Sequence, residues 1–341
     1  MSAPTDFIVL TGFLGSGKTT LLSDFLAGGD DTQTAVIVND VGEVNIDGAI
    51  IAVRSGVPMA TLSNGCVCCS LTNDLLYTVE ALIETGRLAG KPPFARIILE
   101  CSGLSHPGAV LRSLGALSQL AMRVRVVATC AADRPAAAGD DFELAAAQLC
   151  AAHTIVLTRL DLAGAAAIER AAATARALGP MATVIVEPQR VTRAALSLGP
   201  SAPTAVSCLP NGMDDTPMAA TAGHPRVNVF ALGCEQPLEW AGFSAWLENL
   251  AGYLEARLLR VKGLLTVAGC GEQLLIQGVG QHFDTPCRIA TGSRTSRLIV
   301  IARDTSREEV EAITPPLPSV RITMLRAPGA APEAARLARP V

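Results

Sequence analysis

Along the N-terminal half of the chain, short β-branched apolar runs alternate with stretches whose apolar residues recur at helical spacing. Phe7 to Thr11 reads as a strand, Thr19 to Ala27 as a helix and Thr34 to Asn39 as a second strand. A helix around Asn73 to Thr85 leads into a strand at Ala95 to Cys101. A helix near Gly108 to Leu117, a strand at Arg123 to Thr129 and a helix near Phe142 to Ala152 follow. The series closes with a strand at Thr154 to Thr158, a helix near Ala165 to Leu178 and a strand at Thr183 to Glu187. Alternation of this kind predicts a mostly parallel sheet with helices on both faces. In such sheets ligands bind at the carboxyl ends of the strands.

Pro200 to Pro225 interrupts the pattern with Ser, Pro, Gly, Asp and Thr, and reads as a linker. Beyond it, Val227 to Leu232, Leu258 to Ala268, Gln273 to Gly278 and Arg297 to Ala302 read as strands. Helices at Ala241 to Leu250 and Ser306 to Ala312 separate them, a ratio that predicts a small α+β domain. The expected organisation is an α/β nucleotide domain over 1–198, a linker over 199–225, an α+β domain over 226–326 and a fraying tail over 327–341.

Composition narrows the setting. Half of the 341 residues are hydrophobic, 17% are charged and the net charge is −4, with no block of one sign. Neither a nucleic acid nor an anionic membrane is an expected partner. Charged residues interrupt every apolar run before the ~20 residues that a membrane span needs. The start of the chain has no basic segment leading into a signal-peptide core, so a cytoplasmic location is expected. Ten cysteines in a chain of this length do not suggest a disulfide scaffold. Cys101, Cys130, Cys150, Cys208, Cys234, Cys270 and Cys287 stand singly and read as small buried hydrophobes.

Gly12-Phe13-Leu14-Gly15-Ser16-Gly17-Lys18-Thr19 satisfies G-x-x-x-x-G-K-[ST] between a predicted strand and a predicted helix, the context a P-loop requires. Gly12, Gly15, Ser16, Gly17 and Thr20 belong to the backbone that converges on phosphate at a helix N-terminus. Lys18 is placed to reach the β- and γ-phosphates and the Thr19 hydroxyl to ligate Mg²⁺. Glu100 closes the apolar run Ile97 to Leu99 and is the candidate second Mg²⁺ contact, with the Gly103 N–H as a γ-phosphate sensor. Thr158-Arg159-Leu160-Asp161 takes the position of an N-K-x-D base-reading sequence. In this reading Asp161 accepts from guanine, and the Arg159 guanidinium stacks where a lysine stem usually packs. An exposed turn after a strand would read the same way.

Cys66, Cys68 and Cys69 place three thiols within one short loop ahead of a helix. Soft sulfur ligands favour Zn²⁺ or Cu⁺ and can accept Co²⁺ or Fe²⁺, although the spacing alone fits buried structural thiols at least as well.

These motifs together resemble the CobW-type family of P-loop GTPases, metallochaperones and metal-insertion factors related to the hydrogenase and urease nickel GTPases. The resemblance rests on Thr11 to Leu22, Val38 to Asp47, the Gly-Cys-x-Cys-Cys loop at 65–69 and Glu100 to Pro107. Leu259 to Gly263 and Gln277 to Gly280 are similar to the family's C-terminal domain. It implies a GTPase whose switch segments, near 40–50 and 101–108, flank the cysteine loop. GTP and Mg²⁺ would then bias the affinity of Cys66, Cys68 and Cys69 for a transition-metal ion, delivered to a client metalloprotein. Glu43, with Asp47, is a candidate for contacts to Mg²⁺, water or the second metal, or else a solvated loop carboxylate. Catalytic candidates are therefore Lys18, Thr19, Glu100 and Glu43. The chain departs from the family at Asp40-Val41, where Glu-Phe is common, and at Ser105-His106-Pro107, where Ala-Asp-Pro is usual. Cys130 stands near a usual Asp, and the frequent His-rich tract is reduced to His224. The alternatives are a nucleotide-dependent adaptor or sensor with negligible catalysis, and a P-loop kinase or ATPase. Oligomeric state is left open, a homo-oligomer included.

Overall fold

The structure, a computed structural model, describes residues 5–28, 33–39, 57–62, 71–114, 120, 122–134, 142–200, 226–290 and 294–325. Two compact units form, Met1–Ala205 and Val206–Val341.

The N-terminal unit is built on β1 (Asp6–Thr11), β2 (Thr34–Asn39), β3 (Met59–Leu62), β4 (Arg96–Glu100), β5 (Arg123–Ala131), β6 (Thr154–Thr158) and β7 (Thr183–Ile185). Among the described residues these make one seven-stranded sheet in the order β3-β2-β4-β1-β5-β6-β7. Every pairing in it is parallel. Its helices are α1 (Lys18–Ala27), α2 (Leu71–Leu88), α3 (Pro107–Leu114), α4 (Phe142–Ala151), α5 (Ala165–Leu178) and α6 (Arg190–Leu198). Phe7, Ile8, Val9 and Leu10 are all buried, so β1 is covered on both faces. That is why the strand reads as a continuous apolar run instead of an alternating one. On one face Leu21, Leu22, Phe25 and Leu26 of α1 join Ala194 and Leu198 of α6 over Ile8, Leu10, Val36 and Ile98.

The α/β expectation holds, with differences at the edges. The edge strand β3 was not expected, nor was α6. In α6 the buried face carries Arg193 and Ser197 beside Ala194 and Leu198, which hides the helical apolar period.

The C-terminal unit carries β8 (Val227–Cys234), β9 (Leu258–Leu265), β10 (Gln273–Val279), β11 (His282–Phe283), β12 (Cys287–Ile289), β13 (Ser296–Arg303) and β14 (Arg321–Leu325). Their order is β11-β10-β9-β13-β8-β14, with β12 also on β10, and the pairing is antiparallel. Helix α7 (Trp240–Leu254) lays Phe243, Trp246, Leu247, Leu250 and Leu254 on one sheet face. The register places Phe230 opposite Val300 and Leu232 opposite Leu298, so alternate residues of both strands supply that core. The short helix α8 (Arg307–Glu311) follows β13. The two-residue β11, the three-residue β12 and the half-exposed β14 were not expected.

Candidate functional site

The carboxyl ends of β1, β4, β5 and β6 meet at the P-loop. Helix α1 begins at Lys18 with Gly17 as its N-cap, in the left-handed region at φ 88°, and no side chain caps it. The N–H groups that open an uncapped helix are free to receive anionic oxygens. Gly12 sits at φ 140°, where a side chain would collide with Thr129. Thr129 Oγ1 in turn lies 2.6 Å from Ser16 Oγ, tying the end of β5 to the loop.

Lys18 Nζ donates to the Gly12 carbonyl at 2.8 Å and to that of Phe13 at 3.3 Å. The ammonium is thus held inside the loop it serves. Burial pushes its pKa down, opposed by the nearby Glu100 carboxylate. Anionic phosphate would act in the same sense as Glu100 and favour the charged form.

The Thr19 hydroxyl donates to Glu100 Oε1 at 2.6 Å, across 81 positions of chain. A hydroxyl and a carboxylate are hard oxygen donors, the set that Mg²⁺ prefers over soft ligands. Just beyond Glu100, Gly103 packs on the P-loop: a β-carbon there would lie 2.8 Å from the Leu14 nitrogen. Gln148 of α4, fully buried, holds this turn by donating to the carbonyls of Gly103 at 3.0 Å and Ser105 at 3.1 Å. Its role carries no local sequence signal, because a lone Gln in an alanine-rich helix reads as surface. His106 is exposed ahead of α3.

Thr158 Oγ1 donates to the Ser16 carbonyl at 2.6 Å, linking the end of β6 to the P-loop. Arg159 follows in the left-handed region at φ 55°, and Asp161 sits exposed in a 3₁₀ turn, Leu160–Leu162. The Arg159 guanidinium binds Asp133 in two hydrogen bonds of 2.8 Å each. This pair raises the pKa of Arg159 and lowers that of Asp133. Asp133 was not among the expected residues, nor was Arg134, whose Nη1 would lie 3.2 Å from a β-carbon on Gly15.

Lys18, Thr19, Glu100, Gly103, Thr158 and the P-loop glycines therefore converge. Glu43, Cys66, Cys68 and Cys69 lie outside the described residues, as does Cys208. Among the described residues no group of three or more His, Cys, Asp or Glu side chains is arranged to hold a metal ion. Cys101, Cys130, Cys150 and Cys234 are buried as expected, and burial pushes the Cys101 thiol up to about 12 and that of Cys130 up to about 11. Cys270 is half-buried and Cys287 is exposed, the latter because β12 lies at the margin of the sheet. No helix among the described residues is long and apolar enough to cross a membrane.

Residues 6–186 match the model of the CobW/HypB/UreG nucleotide-binding domain, and residues 227–313 that of the cobalamin synthesis protein cobW C-terminal domain. The chain belongs to the CobW/HypB/UreG family. It is 30% identical to the zinc chaperone YjiA of Escherichia coli over 91% of this chain and 97% of the relative. It is 29% identical to the zinc chaperone CobW of Pseudomonas aeruginosa, over 87% of each. The crystal structure of Zn(II)-bound YjiA GTPase from E. coli superposes with a TM-score of 0.63, at 24% identity, covering 92% of this chain and 98% of that one. This CobW/HypB/UreG member thus shares its fold with that structure.

Proposed function

We propose that this protein binds and hydrolyses GTP at the P-loop and couples that cycle to holding and delivering one transition-metal ion to a client metalloprotein. The observation that carries the nucleotide half is the 2.6 Å contact between Thr19 Oγ1 and Glu100 Oε1, beside the buried Lys18. Those two oxygens would hold Mg²⁺, which when bound neutralises charge shared by the β- and γ-phosphates. The backbone from Gly12 to Thr20 cradles the phosphates, Lys18 balances their charge, and the Gly103 N–H senses the γ-phosphate. Asp161 accepts from the guanine N–H edge, and Arg159 lies under the base.

The cargo is the soft ion, and Cys66, Cys68 and Cys69 are the thiolates proposed to carry it. Relatives named as zinc chaperones favour Zn²⁺ over Co²⁺. Loss of the γ-phosphate would relax the turn around Gly103, and hydrolysis would thereby bias Cys66, Cys68 and Cys69 toward releasing the ion. The division proposed for the chain is 1–198, 199–225, 226–326 and 327–341, working in the cytoplasm.

Phosphate release from GTP with Mg²⁺, with and without added Zn²⁺ or Co²⁺, tests the reading. Turnover modulated by the second metal is expected. Intact GTP binding with no turnover under any metal would reject hydrolysis in favour of an adaptor. Replacing Cys66, Cys68 and Cys69 together by Ser should abolish tight Zn²⁺ binding, and unchanged affinity would move the cargo site elsewhere.

A further inference from the structure

The Asp161 carboxylate lies within electrostatic range of three arginines, Arg159, Arg190 and Arg193. All three are committed to other acceptors. Arg190 donates from Nε and Nη2 to the two carboxylate oxygens of Asp24, both at 2.9 Å. Arg193 Nη1 donates to the Glu187 carbonyl at 2.7 Å. Arg159, two positions before Asp161, donates from Nε and Nη2 to Asp133 Oδ1 and Oδ2, both at 2.8 Å. Among the described residues no hydrogen bond or ion pair engages the Asp161 carboxylate.

The arrangement matters because of what a guanidinium looks like to a carboxylate. Guanine offers its ring N–H and exocyclic amine side by side, two parallel donors aimed at two oxygens. An arginine fork offers the same pattern with a full positive charge added. A loose Arg159 would therefore compete with guanine for Asp161 and would win on charge. Two parallel bonds to a single carboxylate fix a guanidinium in plane and in position, which one bond would not.

We propose that Asp133 is a positioning residue that tethers Arg159 away from Asp161 and so keeps the guanine-reading carboxylate open, setting base selectivity. The inference rests on the proposed reading of Asp161 as the guanine acceptor. It also accounts for how an arginine is tolerated at a position next to that acceptor. The same tether holds the guanidinium plane steady beneath the base.

Titration of the full-length protein with fluorescent GDP and ADP analogues in Mg²⁺ tests this. Asp133→Asn should lower the GDP-to-ADP affinity ratio by about tenfold, the scale of a charge-assisted hydrogen bond, through loss of GDP affinity. Asp133→Glu should keep most of the preference. Adding Arg159→Ala to Asp133→Asn should restore the ratio, because the competitor is gone. An unchanged ratio in Asp133→Asn overturns the inference, as does an equal loss of both nucleotides, which marks a merely structural role. A double variant no better than Asp133→Asn overturns it too. Asp161→Ala separates the two levels: if it leaves the preference intact, the reading of Asp161 and this inference both fall. If it abolishes the preference while Asp133→Asn does not, only the role of Asp133 falls.

Discussion

A β-carbon on Gly103 would lie 2.6 Å from Leu14 Cδ2, 2.8 Å from its backbone nitrogen and 2.9 Å from its Cα. The Leu14 side-chain end can swing away, but the P-loop backbone is held by its own contacts, so the turn at Gly103 would have to shift and carry its N–H out of place. Gly103→Ala should therefore weaken GTP binding by about tenfold or more, on the scale of displacing a positioned group by less than 1 Å, and spare GDP. Equilibrium titration with GDP and a non-hydrolysable GTP analogue checks it; equal losses for both would remove Gly103 from the γ-phosphate side. At this scale legibility followed chain continuity. Gly12 to Thr19 could be read because its chemistry is local, a loop and the helix it opens. Glu100 was placed by analogy with that chemistry and lies against Thr19. Asp133 was not legible, because it acts through Arg159, 26 positions away, and nothing in either residue names its partner.

Among the elements, α8 is the one whose ends carry the argument. Ser306 Oγ accepts from the Glu309 N–H at 3.2 Å while Glu309 Oε2 accepts from the Ser306 N–H at 2.7 Å, a reciprocal capping box. Glu309 Oε1 also accepts from Arg257 Nη1 at 2.9 Å. Ser306→Ala should cost about 1 kcal/mol, read from denaturant unfolding. The box also has a pH signature. Burial alone would push the Glu309 carboxyl up, but the Ser306 N–H and then the Arg257 guanidinium outweigh it, and its pKa lies below the ordinary 4.5. A carboxyl depressed in the folded state contributes stability above its unfolded pKa, and that contribution fades as pH falls through the folded value. Glu309→Gln should thus be less stable than the parent at pH 7 and converge on it only as pH falls through the depressed folded pKa of Glu309, by thermal melts from neutral into acid. A gap that persists at low pH would assign Glu309 a packing role instead. Ser306 to Ala312 was readable as a helix because S-x-x-E is a local signal; β11, β12 and β14 were not, since a few half-exposed residues in a sheet margin carry no periodicity.

At the scale of the molecule, the described residues include a core in each unit, assembled from that unit's own side chains. Ile8, Leu22, Phe25 and Val127 belong to one, and Phe230, Phe243, Trp246 and Val300 to the other. The parallel unit holds the phosphate loop, so a nucleotide acts on its stability by mass action: at 100 times Kd the gain is about 2.7 kcal/mol. Trp246 is only 2% exposed, and its truncation to Ala should remove about 3–5 kcal/mol from the antiparallel unit. Contributions from separate cores should be independent. Calorimetric unfolding of the whole chain should then contain two transitions, with GDP and Mg²⁺ raising one and Trp246→Ala lowering the other. Each perturbation should leave its counterpart in place, and the GDP affinity of the Trp246 variant should match the parent. A single transition that moves with both would instead mean that the two cores unfold as one cooperative body. In that case nucleotide occupancy reaches the antiparallel sheet, and the reach of the switch would extend beyond the turn at Gly103 to the C-terminal unit as a whole.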